Sequence, residues 1–80
     1  MEKIELDDFL TGGILKEKDF RIIVNNINWD IYKDKKVLIK GCTSVPVPIW
    51  SYLIITAKLT NIAQAVYFGE PCSAVEIYNK

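Results

Sequence analysis

Apolar residues change their spacing along this chain, and the spacing predicts its strands and helices. Two short runs are continuously apolar, residues 37–39 (Val-Leu-Ile) and residues 65–68 (Ala-Val-Tyr-Phe), which is typical of strands covered on both faces. Between them, over residues 48–60, apolar residues recur at helical spacing. Pro48 suits the first turn of that helix, because the N–H that proline lacks is not needed there. A strand, a helix and a strand in this order predict a βαβ unit with parallel strands.

The N-terminal part of the chain predicts one more strand and one more helix. Apolar and charged residues alternate over residues 3–9, which suits a half-buried strand. Over residues 16–27 apolar residues recur every three or four positions opposite polar ones, as in an amphipathic helix. Gly12 and Gly13 lie between the two segments and predict a turn.

Large apolar side chains also occur outside these elements. We expect the connector formed by Trp29, Ile31 and Tyr32 to lie on the core as a lid, since large apolar residues near the ends of elements are commonly buried. In the tail, Val75 and Ile77 alternate with more polar residues, which permits a short edge strand. The predicted fold is α/β: a small parallel sheet built around the βαβ unit, with helices packed on it and an added edge strand from the C-terminal tail.

The predicted second helix is apolar on two sides. One stripe contains Ile49, Trp50, Leu53, Ile54 and Ala57. The other contains Tyr52, Ile55, Leu59 and Ile62. A helix that covers a sheet needs only one stripe. We expect a single domain over residues 1–80, and such a chain buries only about 60% of its unfolded surface. The second stripe therefore either completes this small core or contacts a second subunit, and we expect it to form the interface of a homodimer.

The charges give no sign of a nucleic-acid or membrane partner. Ten basic and ten acidic residues balance and alternate, so the basic patch of nucleic-acid-binding proteins is missing from the sequence. Ser51, Thr56 and Lys58 interrupt the longest apolar run, which is too short to span a membrane. The N-terminus is acidic where a signal peptide needs basic residues. We therefore expect a cytoplasmic protein.

Several enzyme classes lack their residues in this sequence. The chain has no histidine, so neither a Ser-His-Asp triad nor a Cys-His pair can form within one chain. Gly12 and Gly13 belong to no glycine-rich phosphate-binding motif. We expect a binding or accessory protein rather than an enzyme.

Both cysteines follow the predicted strands of the βαβ unit. Parallel strands end at the same edge of a sheet, and ligands bind at that edge in open α/β sheets. The candidate site residues there are Cys42, Thr43, Ser44, Glu70 and Cys72. The N-terminus of the intervening helix adds unpaired N–H groups and partial positive charge, which favours a thiolate at Cys42.

Four roles remain open for the two thiols. Adjacent strands would bring their Cα atoms within the roughly 4.4–6.8 Å of a disulfide, whereas an intervening strand would separate them by about 10 Å. Cys42 and Cys72 could instead ligate a metal, with Glu70 as a third ligand or with four thiols shared across a dimer. Cys42 could be the nucleophile of a thiol enzyme, activated by the helix terminus. Both could also be inert core cysteines.

Several segments of the chain resemble the bacterial family catalogued as domain of unknown function 2480. The C-terminal part of that family is similar to Val37-Leu38-Ile39-Lys40-Gly41-Cys42, Val45-Pro46-Val47-Pro48, Ser51-Tyr52 and Tyr67-Phe68-Gly69-Glu70-Pro71-Cys72-Ser73. The segment before the first half of the family is similar to Phe9-Leu10, residues 14–21, and Trp29 with Tyr32.

The resemblance has implications for assembly and function. Members of that family are about twice as long and carry two related strand-proline-helix-strand halves, so the resemblance implies that two copies of this chain associate. The family has no established activity, but related genes lie near iron–sulfur cluster assembly systems. The resemblance thus favours sulfur or iron handling at Cys42 and Cys72, an iron–sulfur cluster or zinc shared across a dimer, and a protein partner in iron–sulfur assembly.

Overall fold

The computed structural model describes residues 1–10, 12–41 and 47–80. The helices and strands are β1 Glu2–Glu5, α1 Glu17–Asn26, β2 Lys36–Lys40, α2 Ile49–Leu59, β3 Ala65–Phe68 and β4 Val75–Asn79. The strands form one sheet in the order β1-β2-β3-β4. The first three strands are parallel, and β4 pairs antiparallel with β3. This confirms the predicted α/β fold, including the edge strand from the tail.

Both helices lie on the same face of the sheet. The connections through α1 and α2 each step to the next strand in the same direction, and right-handed crossovers then place both helices on one side. Val37 of β2, Phe20 of α1 and Ile55 of α2 accordingly belong to one buried cluster. The thinnest dimension of the molecule is 17 Å, which fits one sheet and one layer of helices.

The first strand is shorter than the alternation predicted. The extended chain ends at Glu5, and Leu6–Phe9 forms a short 3-10 helix. Leu6 and Phe9 are both buried, because residues three positions apart lie on the same side of a 3-10 helix. Glu2–Glu5 pairs in parallel with β2, so the chain contains a second βαβ unit, β1-α1-β2.

Trp29 and Tyr32 of the predicted aromatic connector cover the core, but the prediction was wrong for Ile31, which is 54% exposed. Trp29–Tyr32 forms a second 3-10 helix, and its two aromatic side chains are half-buried against the main cluster. The Trp29 Nε1–H donates to the Val24 carbonyl at the end of α1, with an N···O distance of 3.0 Å. The connector is thereby tied to the helix before it.

Three contacts tie β4 and Lys80 to the segments that precede β3 and β2. The backbone N–H of Asn61 donates to the Tyr78 hydroxyl at 2.9 Å. The backbone N–H of Lys80 donates to the Gln64 carbonyl at 2.8 Å, and its side chain pairs with Asp34 at 3.2 Å. The C-terminal end of the chain is thereby fixed to the rest of the sheet.

In the part of the chain that the structure describes, neither helix has the length and the apolar content needed to cross a membrane.

Candidate functional site

Only part of the thiol site predicted at the edge of the sheet lies within the described residues. Cys42, Thr43 and Ser44 lie outside the described residues. Glu70 and Cys72 lie in the turn between β3 and β4, and both are exposed. The strands β2 and β3 are direct neighbours, which is the arrangement that a disulfide or a shared ligand at Cys42 and Cys72 requires.

Three charged side chains meet where the parallel strands end. Lys40 Nζ lies 3.4 Å from Glu5 Oε1 and 3.7 Å from Glu70 Oε2. The hydrogen bond that Lys40 donates to Glu5 and the charge of Glu70 raise the pKa of Lys40 above its usual value, so its side chain is a cation at neutral pH. A metal ion would have to compete with this ammonium group for the Glu70 carboxylate. That competition weakens Glu70 as a metal ligand.

The Cys72 thiol is exposed and forms no disulfide. Its turn begins at Gly69, whose φ of 123° lies in a region that side chains disfavour, and is closed by a hydrogen bond from Ser73 N–H to the Glu70 carbonyl at 2.9 Å. No group of three or more His, Cys, Asp or Glu side chains that could hold a metal occurs within the described residues. The described part of this edge therefore offers an accessible thiol and a carboxylate paired with lysine.

The apolar stripe that we assigned to a subunit interface belongs largely to the core. Ile55 and Leu59 are 0% exposed and pack in the main cluster of the same chain. Tyr52 and Ile62 are half-buried. The assignment of this stripe to the interface was therefore wrong for Ile55 and Leu59, because α2 turns that side toward the sheet.

Part of the other apolar stripe of α2 faces outward, while its Trp50 and Ile54 pack against the main cluster. Along the helix the exposed residues are Ile49, Leu53 and Ala57, at a spacing of four. Ile49 is 75% exposed and Leu53 is 63% exposed. The exposed side of α1, in contrast, is mostly charged or polar, as expected of a helix facing water. On α2 the outermost residues are all apolar.

An apolar groove runs between this side of α2 and the sheet. It has a volume of about 440 Å³ and is lined by Ile49, Tyr52, Leu53, Thr56, Phe68 and Ile77. The Tyr52 and Phe68 rings meet edge to face with centroids 4.8 Å apart. Exposed Val75 pairs with Phe68 across the strands and extends the apolar surface. No lining residue is charged, so the groove suits an apolar occupant.

Sequence reasoning missed three residues of this apolar surface. Phe68 was expected inside a buried strand, and Val75 and Ile77 were assigned only to an edge strand. The sequence feature that could have identified them is the lack of charged residues on one side of α2, the helix that precedes β3 and β4. Ile49 and Leu53 show this feature, but the sequence alone could not decide which of the two apolar stripes of α2 faces outward.

Together the fold and the site define a small two-layer α/β protein with a mainly parallel sheet. In this protein, α2 and the edge strand β4 share an uncharged groove. The family model described as Protein of unknown function (DUF2480) matches residues 1–39 and residues 30–80, which together include the whole chain. The chain belongs to the DUF2480 family, as the resemblance in its sequence indicated. No curated protein gives a significant match, and neither does any solved structure.

Proposed function

We propose that this protein is a non-catalytic binding module that acts as a homodimer, with the apolar groove and the adjoining Val75 as its contact surface. The observation that carries the proposal is the outer side of α2, where Ile49 and Leu53 are exposed and no residue of the adjoining groove is charged. Contiguous exposed apolar surface on a small protein marks an interaction site.

The size of this surface fits a modest dimer. Burying an apolar side chain is worth about 1.5–3 kcal/mol at about 25 cal/mol per Å², so a fully exposed apolar side chain presents roughly 60–120 Å². At the exposures of Ile49, Leu53, Phe68, Val75 and Ile77, two copies would bury roughly 340–680 Å² of apolar area. Apolar atoms make up about 60% of an interface, and the total then brackets the ~1,000 Å² expected of a specific contact. This total lies near the lower limit for a specific interface, where contacts are weak or transient, so we expect a Kd in the micromolar range.

Sedimentation velocity tests the proposal over about 1–100 μM protein, the range that brackets a micromolar Kd. The wild-type chain should shift from monomer to dimer as its concentration rises. Leu53→Glu should remain monomeric with an unchanged circular dichroism spectrum, because it places a charge on the contact surface without entering the core.

A matched control separates the groove from a general effect of added charge. Ile22 on α1 is 52% exposed, close to the 63% of Leu53, and does not line the groove. Ile22→Glu should dimerise like the wild type. A wild-type chain that stays monomeric throughout the concentration range would contradict the proposed function.

A second candidate function is thiol or iron–sulfur chemistry at Cys42 and Cys72, in a cytoplasmic protein that assists a partner in iron–sulfur assembly. The exposure of Cys72 and the adjacency of β2 and β3 support it. Protein purified without oxygen should then carry iron or zinc, near one atom per two chains for a shared site, and Cys42→Ser or Cys72→Ser should abolish binding. Metal-free protein whose thiols do not react without denaturant would contradict this candidate.

A further inference from the structure

The exposed residues of α2 form a single ridge. Ile49, Leu53 and Ala57 follow one another at a spacing of four, and ridges of this spacing pack into the equivalent grooves of a second helix in the commonest class of helix contact. The side chains of the ridge are large at the start of the helix and small near its end. It therefore has the shape of a helix–helix contact surface.

We infer that two copies of this chain pack α2 against α2 in antiparallel orientation, with the two-fold axis at Leu53. Leu53 of each copy then contacts Leu53 of the other, and Ile49 of each lies over Ala57 of the other. This inference rests on the proposed homodimer and specifies how its two copies meet. The partner helix covers the groove, so Phe68 and Ile77 are buried at its sides.

Packing and charge both favour the antiparallel orientation. An antiparallel pair places the large Ile49 against the small Ala57, so that the ridge is filled along its length. A parallel pair would place Ile49 against Ile49 and leave a gap between the two alanines. It would also bring together helix ends of the same partial charge, whereas the antiparallel pair joins opposite ends.

The edge of the sheet is the competing contact, and the structure disfavours it. The β3–β4 ladder has a register shift between Val66 and Tyr67, which leaves Ile77 as an extra residue in β4. A bulge bends and twists its strand, and bulges protect edge strands from pairing with another chain. Continuation of the sheet through β4 is therefore a poorer contact than the straight ridge of α2.

Cysteine cross-linking tests this geometry in a chain that also carries Cys42→Ser and Cys72→Ser. Packed helices have axes 8–10 Å apart and Cα atoms about 2.3 Å from each axis. Two facing Leu53 Cα atoms are then about 3.4–5.4 Å apart, which overlaps the range of a disulfide. Leu53→Cys should therefore give covalent dimer as the main product of mild oxidation. Ile49→Cys combined with Ala57→Cys should do the same, and this second variant keeps Leu53.

Three single variants distinguish the alternatives. Ile49→Cys alone should not cross-link, because its two copies lie on opposite sides of the axis. Ile77→Cys and Ile22→Cys should not cross-link either. Efficient linkage through Ile49→Cys alone would establish a parallel pair, and linkage through Ile77→Cys without Leu53→Cys would establish strand pairing. Either result overturns the inference.

Sedimentation under reducing conditions separates failure of the geometry from failure of the dimer. A parent chain that dimerises while neither Leu53→Cys nor the Ile49→Cys, Ala57→Cys variant forms disulfide-linked dimer would overturn the helix contact and leave the homodimer standing. A monomeric parent chain would overturn both.

Discussion

Gly41 and Tyr52 form a contact that ties the end of β2 to α2. The Tyr52 hydroxyl lies so close to Gly41 that it would clash with a Cβ at that residue. Gly41 is not among the glycines with positive φ, so glycine is needed there for space rather than for its backbone conformation. The ring of the same tyrosine contacts Phe68 in β3. One side chain thus connects β2, α2 and β3 beside the groove.

Gly41→Ala should lower the free energy of unfolding by about 1–3 kcal/mol, the usual cost of forcing an extra methyl group into a packed site. The methyl group would push the Tyr52 hydroxyl away and shift α2 relative to β2. Urea unfolding followed by circular dichroism measures the loss.

Adding Tyr52→Phe provides the control for this prediction. Removal of the hydroxyl makes room for the new methyl group, so the double variant should be more stable than the sum of the two single losses predicts. Additive losses would show that Tyr52 is not the group that alanine meets.

Three side chains make the stability of the fold decrease at alkaline pH. Burial and the charge of Glu2 raise the pKa of Tyr32 above 10.0. Partial desolvation and the charge of Glu76 raise the pKa of Tyr67 above 10.0. Glu5 and Glu70 raise the pKa of Lys40 above 10.5. All three hold their protons more tightly in the folded state, so stability should be constant below about pH 9 and fall as the pH rises through the raised values.

The midpoint of urea unfolding, measured between about pH 8 and 11, checks this sign. The midpoint should decrease above pH 10 in the wild type, and it should decrease less in a Tyr32→Phe, Tyr67→Phe double variant. A midpoint that rises over this range, or an equal decrease in both proteins, would rule out these tyrosines as the cause.

Among the elements, α2 shows most clearly what its sequence determines. Its bounds, Ile49–Leu59, lie within the predicted residues 48–60, because Pro48 and the apolar spacing mark a helix on any face. Its orientation could not be predicted, because both stripes are apolar. Ser51 is 0% exposed, since its hydroxyl donates to the Pro48 carbonyl at 2.6 Å. A serine whose hydroxyl is bonded within its own helix can face the core, and it therefore did not mark the solvent side.

Short and loop-borne features were harder to predict than the helices and the buried strands. Ile4 and Leu6, two residues apart, suit one face of a strand, whereas Leu6 and Phe9, three residues apart, suit a 3-10 helix, which lets both of them reach the core. For the thiol site, the strand order fixes the edge at which the turns lie. The strand order does not fix the side-chain geometry. In the structure, Lys40 lies beside Glu70 in the turn between β3 and β4.

Alanine substitutions should distinguish the two sides of α2. Ile55→Ala should cost about 2–5 kcal/mol of unfolding free energy, because it opens a cavity in the core. Leu53→Ala should change the stability of the monomer by less than about 0.5 kcal/mol, as is usual at exposed positions. Urea unfolding well below the dimer Kd measures both, and equal losses would mean that Leu53 also belongs to the core.

The two broad faces of the whole molecule differ in what they present to water. On the face without helices, Lys3, Leu38 and Tyr67 lie side by side in register, and Leu38 is buried between its neighbours. Long polar side chains thus cover that face. On the helix side, α1 is polar outside and α2 is not. The asymmetry concentrates the apolar surface in one place, which favours a dimer over larger assemblies, since an isologous contact closes on itself.

Because the contact surface contains no charged residue, its association should not weaken with salt. Ion pairs between exposed groups are screened within about 10 Å at 0.1 M salt, whereas burial of apolar area is not screened. The dimer Kd from sedimentation should therefore stay constant or decrease between about 0.05 and 1 M sodium chloride. The thermal midpoint of unfolding should also rise with protein concentration, because the proposed dimer requires folded chains. A Kd that increases tenfold over this range would instead indicate that ion pairs hold the two copies together, and the contact would then have to lie away from α2.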